Sequence, residues 1–278
     1  MTALVLITID SKGQQHPLHI GSGTFVSISN IFGILTAAHV VKKLIREKSF
    51  ERPYLLGLTL NDYPQRYAIH SNSIEPIIIA NGQIESDGPD LGFIVLPNSE
   101  RGTIEARKNF HNLDRKREYI LGTPPKFDQG LWAICGVPDE KTIDKPPEIN
   151  LNPHRRFFTL TGFGSIRGTY TFGEYDYCDF RVEYNSSPNI PDNFGGISGG
   201  GLWQIPLRKS SEQTIEPIEY ILSGVAFYQT ERTGLYRWVK CHGRNSIYDM
   251  AYSFITENRK PKTNSRVGCA PLPYYYLG

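Results

Sequence analysis

The stretch Gly195-Gly196-Ile197-Ser198-Gly199-Gly200-Gly201-Leu202-Trp203 carries two readings, and each belongs to a different fold. Glycines on both sides of one serine leave backbone N–H groups uncovered and let a carbonyl carbon approach the hydroxyl, as an oxyanion-binding turn requires. Gly196, Ser198 and Gly200 satisfy G-x-S-x-G, the nucleophile elbow of an α/β sheet, whose acid and base partners follow the serine in the chain. Between Ser198 and His242, the last histidine, glutamates such as Glu231 occur but no aspartate. The preceding chain also lacks the alternation of strands and helices that the elbow needs. The other reading places the partners of Ser198 upstream.

Most of the chain consists of short alternating or β-branched runs bounded by Gly, Pro, Asn and Ser, the pattern of an all-β protein. Such runs are Ala3 to Ile9, Gly23 to Ile28, Asn30 to Leu35, Tyr67 to Ser71, Ile77 to Ala80, Leu91 to Leu96, Leu131 to Val137, Phe157 to Thr161, Arg167 to Phe172, Tyr177 to Tyr184 and Glu219 to Phe227. Helical spacing is confined to Ala37 to about Lys48, a stretch within Arg101 to Tyr119, and a last helix in which Ile247, Met250, Ala251, Phe254 and Ile255 share one face. Ser246 and Asp249 are placed there like a capping box. Pro97 to Pro125 is polar and reads as the connection between two halves, each with room for about six strands. Lys260 to Gly278, with its prolines and the triplet Tyr274, Tyr275 and Tyr276, reads as an extended tail.

Composition narrows the function. With 278 residues, 39% of them hydrophobic, the chain can bury about three quarters of its unfolded surface without a staple. Thirty basic against 28 acidic side chains leave a formal charge of +2, too little for the phosphate neutralisation that nucleic-acid binding draws on. No run of about 18 apolar residues occurs, so no membrane span is expected. Ala3 to Ile9 lacks the basic flank and small-residue cleavage site of a signal peptide and reads as a first strand. Cys135, Cys178, Cys241 and Cys269 show no C-x-x-C spacing and read as reduced structural thiols in a cytoplasm. His16 and His19 lack further ligands at suitable spacing and read as exposed strand residues, so neither a metal nor another cofactor is expected.

Upstream of the serine, Thr36-Ala37-Ala38-His39 follows the strand-like Asn30 to Leu35 and the glycine-marked Gly21-Ser22-Gly23-Thr24-Phe25-Val26. Here the chain resembles the trypsin-like serine proteases of the chymotrypsin fold, of bacterial intracellular type, in which a strand pair leads into T-A-A-H. Asp90, heading Leu91-Gly92-Phe93-Ile94-Val95-Leu96, resembles the family's D-x-A segment, with Gly92 where a small residue is usual. Cys135-Gly136-Val137-Pro138 is similar to a strand-ending G-x-P of bacterial members, and Leu222-Ser223-Gly224-Val225-Ala226-Phe227 to the strand before the substrate-binding wall. The order His39, Asp90, Ser198 is also the family's, and the resemblance spans roughly Gly21 to Glu257.

That resemblance implies two antiparallel six-stranded β-barrels with a C-terminal helix and the active site in the cleft between them. An N-terminal barrel over 1–115 would carry His39 and Asp90, a C-terminal barrel and helix over 116–260 would carry Ser198, and 261–278 would be the tail. It implies a hydrolase acting on a protein or peptide, with Ser198 as nucleophile, His39 as general base and Asp90 as its orienter. The N–H groups of Gly196 and Ser198 would form the oxyanion hole, and Phe227, Tyr228 and Gln229 the edge along which an extended peptide pairs. Asp192, six residues before Ser198, falls where the family places the pocket floor, and an aspartate there selects Arg or Lys.

Two departures qualify this expectation. Ile197 replaces the aspartate that pairs with a newly freed amino terminus in secreted trypsins, so loop packing or an activating partner protein is the expected route to competence. Gln229 stands where a glycine usually opens the primary specificity pocket, which it would narrow. The rival reading is a protease-like domain that binds peptides or serves as a scaffold and is catalytically silent.

Overall fold

The computed structural model describes residues 1–50, 53–60, 66–84, 86–145, 154–156, 160–184, 190–209 and 214–259. Its first half contains β1 (Thr2–Ile9), β2 (Gln15–Ile28), β3 (Ile31–Thr36), α1 (Ala38–Ser49), β4 (Tyr54–Thr59), β5 (Arg66–His70), β6 (Glu75–Asn81), β7 (Asp90–Val95), α2 (Asn98–Glu105) and β8 (His111–Asn112). After α3 (Arg117–Gly122) the second half contains β9 (Leu131–Gly136), β10 (Ile143–Lys145), β11 (His154–Arg156), β12 (Leu160–Phe172), β13 (Tyr175–Glu183), β14 (Gly201–Ile205), β15 (Leu207–Lys209), β16 (Ile215–Pro217), β17 (Ile221–Gln229) and β18 (Tyr236–His242). A π-helical turn, Ser246–Ala251, then runs into α4 (Tyr252–Asn258). The tail 261–278, with Cys269, and Phe157 at the start of one expected run lie outside the described residues.

In the first half one eight-stranded sheet runs β5-β4-β1-β2-β3-β7-β6, with β8 parallel to β2. The long β2 divides its length, pairing over 15–23 with β1 and over 24–28 with β3. β1 shows no apolar alternation because both of its faces are covered. Leu4 and Leu6 enter one core cluster with Tyr54 and Leu56, while Ala3, Val5 and Ile7 pack on the other side with Val137. No pairing joins the end strands β5 and β6 among the described residues, so closure is seen in one half rather than in the two expected.

The second half does close, in the order β12-β13-β18-β17-β14-β9, around Trp132, Ile134, Phe180, Val182, Leu202 and Val239. Two further clusters cross between the halves. Tyr177 and Phe227 join the core of Leu4 and Ile94, and Leu222, Val225, Ile247 and Tyr248 join that of Val26, Leu35 and Phe93. The predicted C-terminal helix is present, but its start differs from the expected capping box. No side chain of its own caps it; instead the Asp176 carboxylate, on β13, accepts the N–H groups of Asn245 at 3.0 Å and Ser246 at 2.6 Å. The stretch from Arg101 to Tyr119 contains the ends of two short helices, α2 and α3, rather than one.

Candidate active site

β3 ends at Thr36, and the fully buried Ala37 and Ala38 turn the chain into α1, which places His39 in that helix's first turn. The first N–H groups of a helix have no partner within it. Asp90, at the head of β7, supplies one: its Oδ1 accepts the backbone N–H of His39 at 2.8 Å while its Oδ2 meets Nδ1 of the same residue at 2.5 Å. One carboxylate therefore fixes both the main chain and the ring of His39, and leaves Nε2 as the free acceptor. Burial raises the pKa of Asp90, but the hydrogen bond and charge of His39 outweigh it and hold the carboxyl below its ordinary value.

Asp90 is itself oriented from the other half. Its backbone N–H donates to Nε2 of His242 at 2.9 Å. Nε2 must then be the acceptor, so the His242 proton sits on Nδ1 and the ring is neutral. Burial agrees with this, lowering the His242 pKa to about 4. The ring is fixed among Tyr175, Tyr177 and Phe227.

Ser198 lies in the turn that enters β14. Every carbonyl from Gly195 to Ser198 is tied down: Gly195 by the N–H of Asp139 at 2.7 Å, Gly196 by Ser22 Oγ at 2.8 Å, Ile197 by the N–H of Gly200 at 2.7 Å, and Ser198 by the N–H of Ser22 at 2.8 Å. The amides behave differently. Gly195 N–H donates to Asn193 Oδ1, Ile197 N–H to the Phe194 carbonyl and Gly199 N–H to the Ala226 carbonyl. Those of Gly196 and Ser198 donate to no acceptor among the described residues. With the carbonyls held elsewhere, two free N–H groups flank the serine, the arrangement that stabilises a developing oxyanion.

Gly199 makes the turn possible. Its φ is +88°, and a Cβ there would lie 2.1 Å from both Ser22 O and Thr36 Oγ1. Ile197 is buried in the barrel core, and Gly136 leaves the space for it, since a Cβ on Gly136 would meet Ile197 Cγ1 at 2.0 Å. Apolar packing thus holds the side chain of Ile197 in the turn that carries Ser198.

His39, Asp90, Ser198, Phe227, Tyr228 and Gln229 line one cavity of about 370 Å³. A larger one, about 650 Å³, lies by Phe25, His111 and Trp203 and holds none of the predicted site residues. Ser198 Oγ makes no hydrogen bond to His39 here and reaches the Phe227 carbonyl at 3.5 Å instead. Catalytic contacts are commonly loose before substrate binds. The β14 to β17 ladder ends at Val225, and Ala226 bonds to Gly199 and Gly200, so Phe227 to Gln229 continue past the serine with that edge unpaired by β14.

Two expectations meet a different geometry. Asp192 is not a buried pocket floor: its side chain is 75% exposed and pairs with Arg232 at 2.6 Å. Asp192 and Asn193 are exposed at a bend, where a carboxylate keeps its hydration. His19 is not an exposed strand residue either; its side chain is 3% exposed and Nδ1 meets Asp139 Oδ1 at 2.5 Å, beside the serine turn. His16, by contrast, is exposed and pairs with Asp10. No group of three or more potential metal ligands occurs among the described residues, and no described helix is long and apolar enough to cross a membrane.

Sequence reasoning passed over Ser22, His242 and Arg237. The flanking Gly21 and Gly23 marked Ser22 as a point of close approach, whereas a single histidine or arginine on a strand gives no local signal. Comparison with known protein families finds no match to the chain, and comparison with curated proteins finds none either.

Proposed function

We propose that the chain is a serine endopeptidase of the two-barrel, chymotrypsin-like kind. His39 Nε2 takes the proton of Ser198 Oγ as that oxygen attacks a peptide carbonyl carbon. The carbonyl oxygen, now negative, accepts the N–H groups of Gly196 and Ser198, and Asp90 stabilises the imidazolium. Collapse of the intermediate breaks the C–N bond, with His39 returning its proton to the leaving amine. Water, deprotonated by the same histidine, then resolves the acyl-enzyme.

The observation that carries this reading is the presence of two undonated amides at a serine that shares a cavity with a carboxylate-oriented histidine. The open edge at Phe227 to Gln229 supports pairing of an extended peptide beside it. The cysteine pattern supports a reducing, cytoplasmic setting, and the proposed bacterial setting with a restricted protein target rests on the family resemblance alone. One observation favours the silent peptide-binding alternative: the Ser198 hydroxyl is turned to the Phe227 carbonyl.

A fluorophosphonate probe separates the two. The proteolytic reading expects one adduct per chain on Ser198, none in Ser198→Ala, and a loss on the order of 10⁶ in kcat on removing Ser198 or His39, because such residues act as a unit. Labelling that persists in Ser198→Ala contradicts it, and peptide binding without any adduct favours the silent domain.

A further inference from the structure

The cavity beside Ser198 also holds Arg237, on β18, and the chemistry above does not use it. Its Nη1 donates to Gln229 Oε1 at 2.7 Å, and the same oxygen accepts the N–H of Phe194 at 2.8 Å. Gln229 Nε2 donates to Asn193 Oδ1 at 2.6 Å. The Gln229 amide is thereby held with its oxygen toward the guanidinium. Among the described residues no carboxylate pairs with Arg237, and its Nε is buried without a hydrogen-bond partner. A guanidinium does not shed its proton inside a protein. A half-buried cation with one neutral acceptor therefore faces the cavity.

Three neighbouring acids are engaged elsewhere. Asp192 pairs with Arg232, Glu140 accepts the N–H of Asn193 at 2.8 Å, and Asp90 holds His39. Glu231 is exposed at the rim. We propose that Arg237 makes this cavity select peptides with an aspartate or glutamate immediately before the scissile bond. The inference rests on the proteolytic reading and reverses the basic preference that Asp192 suggests. A carboxylate would supply the charge-assisted acceptor that the guanidinium lacks, in a fork geometry suited to it. A lysine or arginine side chain would instead meet a like charge.

The test compares peptidyl diphenyl phosphonates that differ only in the side chain next to phosphorus: those of Asp, Glu, Gln, Leu and Arg. Each rate of adduct formation on Ser198 is divided by that of a small fluorophosphonate, which makes no use of the cavity. The acidic probes should react on the order of 10²-fold faster than the Gln probe, with the Arg probe slowest. Arg237→Lys should keep that order with a smaller ratio, and Arg237→Glu should turn it toward the Arg probe, neither of which a purely structural arginine would produce. Equal rates for the Glu and Leu probes, with the small probe still labelling Ser198, overturn the specificity and leave the nucleophile standing. Failure of every probe at Ser198 overturns the proteolytic reading and this inference with it. If the Arg237 variants do not fold, the ranking in the parent protein decides alone.

Discussion

Asp90 uses three groups at once: two carboxylate oxygens on His39 and one backbone N–H on His242. The third contact predicts a measurable role for a histidine that never reaches the reacting atoms. His242→Phe keeps the ring packing but leaves the Asp90 N–H buried and unpaired, which costs about 1–3 kcal/mol. The expected outcome is a loss of that size in unfolding free energy, read from chemical denaturation, together with reduced kcat and unchanged KM. An unchanged kcat would show that His242 only fills space. At this scale His39, Asp90 and Ser198 were legible because each sits in a short sequence context of its own: T-A-A-H, an aspartate before an apolar strand, and a glycine-flanked serine. His242 was not legible, because its role depends on a strand that comes against it from 152 positions away.

The serine turn is an element built by its neighbours. Ser22 bonds to Ser198 through its N–H and to Gly196 through its hydroxyl, and that hydroxyl also accepts the N–H of Val137, so β2, the chain just after β9 and the turn meet at one residue. Gly199→Ala should therefore push the turn away from β2 and β3, with a fall in probe labelling of at least about 10²-fold, since misplacement of about 1 Å costs that much. A labelling assay on folded variant protein checks it. Because Ile197 is locked by apolar packing, competence should not require a chain cut: intact-mass analysis of labelled protein is expected to show the uncut chain plus one probe. An adduct confined to a cleaved form would contradict this. The strand runs were legible as elements because turn residues bound them. Tyr54–Thr59, Gly201–Ile205 and Tyr236–His242 escaped, the second because its glycines read as a loop and the third because Arg and Lys interrupt its apolar pattern. The helix cap was misread because the carboxylate that makes it belongs to β13.

Across the whole molecule, burial keeps two histidines neutral: His111, also opposed by Arg115, and His242 are both lowered from 6.5 to about 4. In the unfolded chain they bind protons from about pH 6.5 downward, and in the folded protein they do not. Their contribution to stability is therefore fully present above that pH and is lost as pH falls toward 4, with a slope of about 1.4 kcal/mol per pH unit for each histidine. Chemical denaturation between pH 7 and 4 checks this, and His111→Gln should lower the slope by about 1.4 kcal/mol per pH unit. The β-rich class was legible from run spacing, whereas the shared cores were not, because a strand's sequence shows that a face is buried but not which element covers it. The central claim concerns covalent chemistry at one serine, and pre-steady-state hydrolysis of an activated ester tests it most directly. The account predicts a burst of about one product per chain, an acyl adduct on Ser198 by peptide mass analysis, and loss of the burst in His39→Ala. A burst that survives in His39→Ala, or an adduct on another residue, would contradict it.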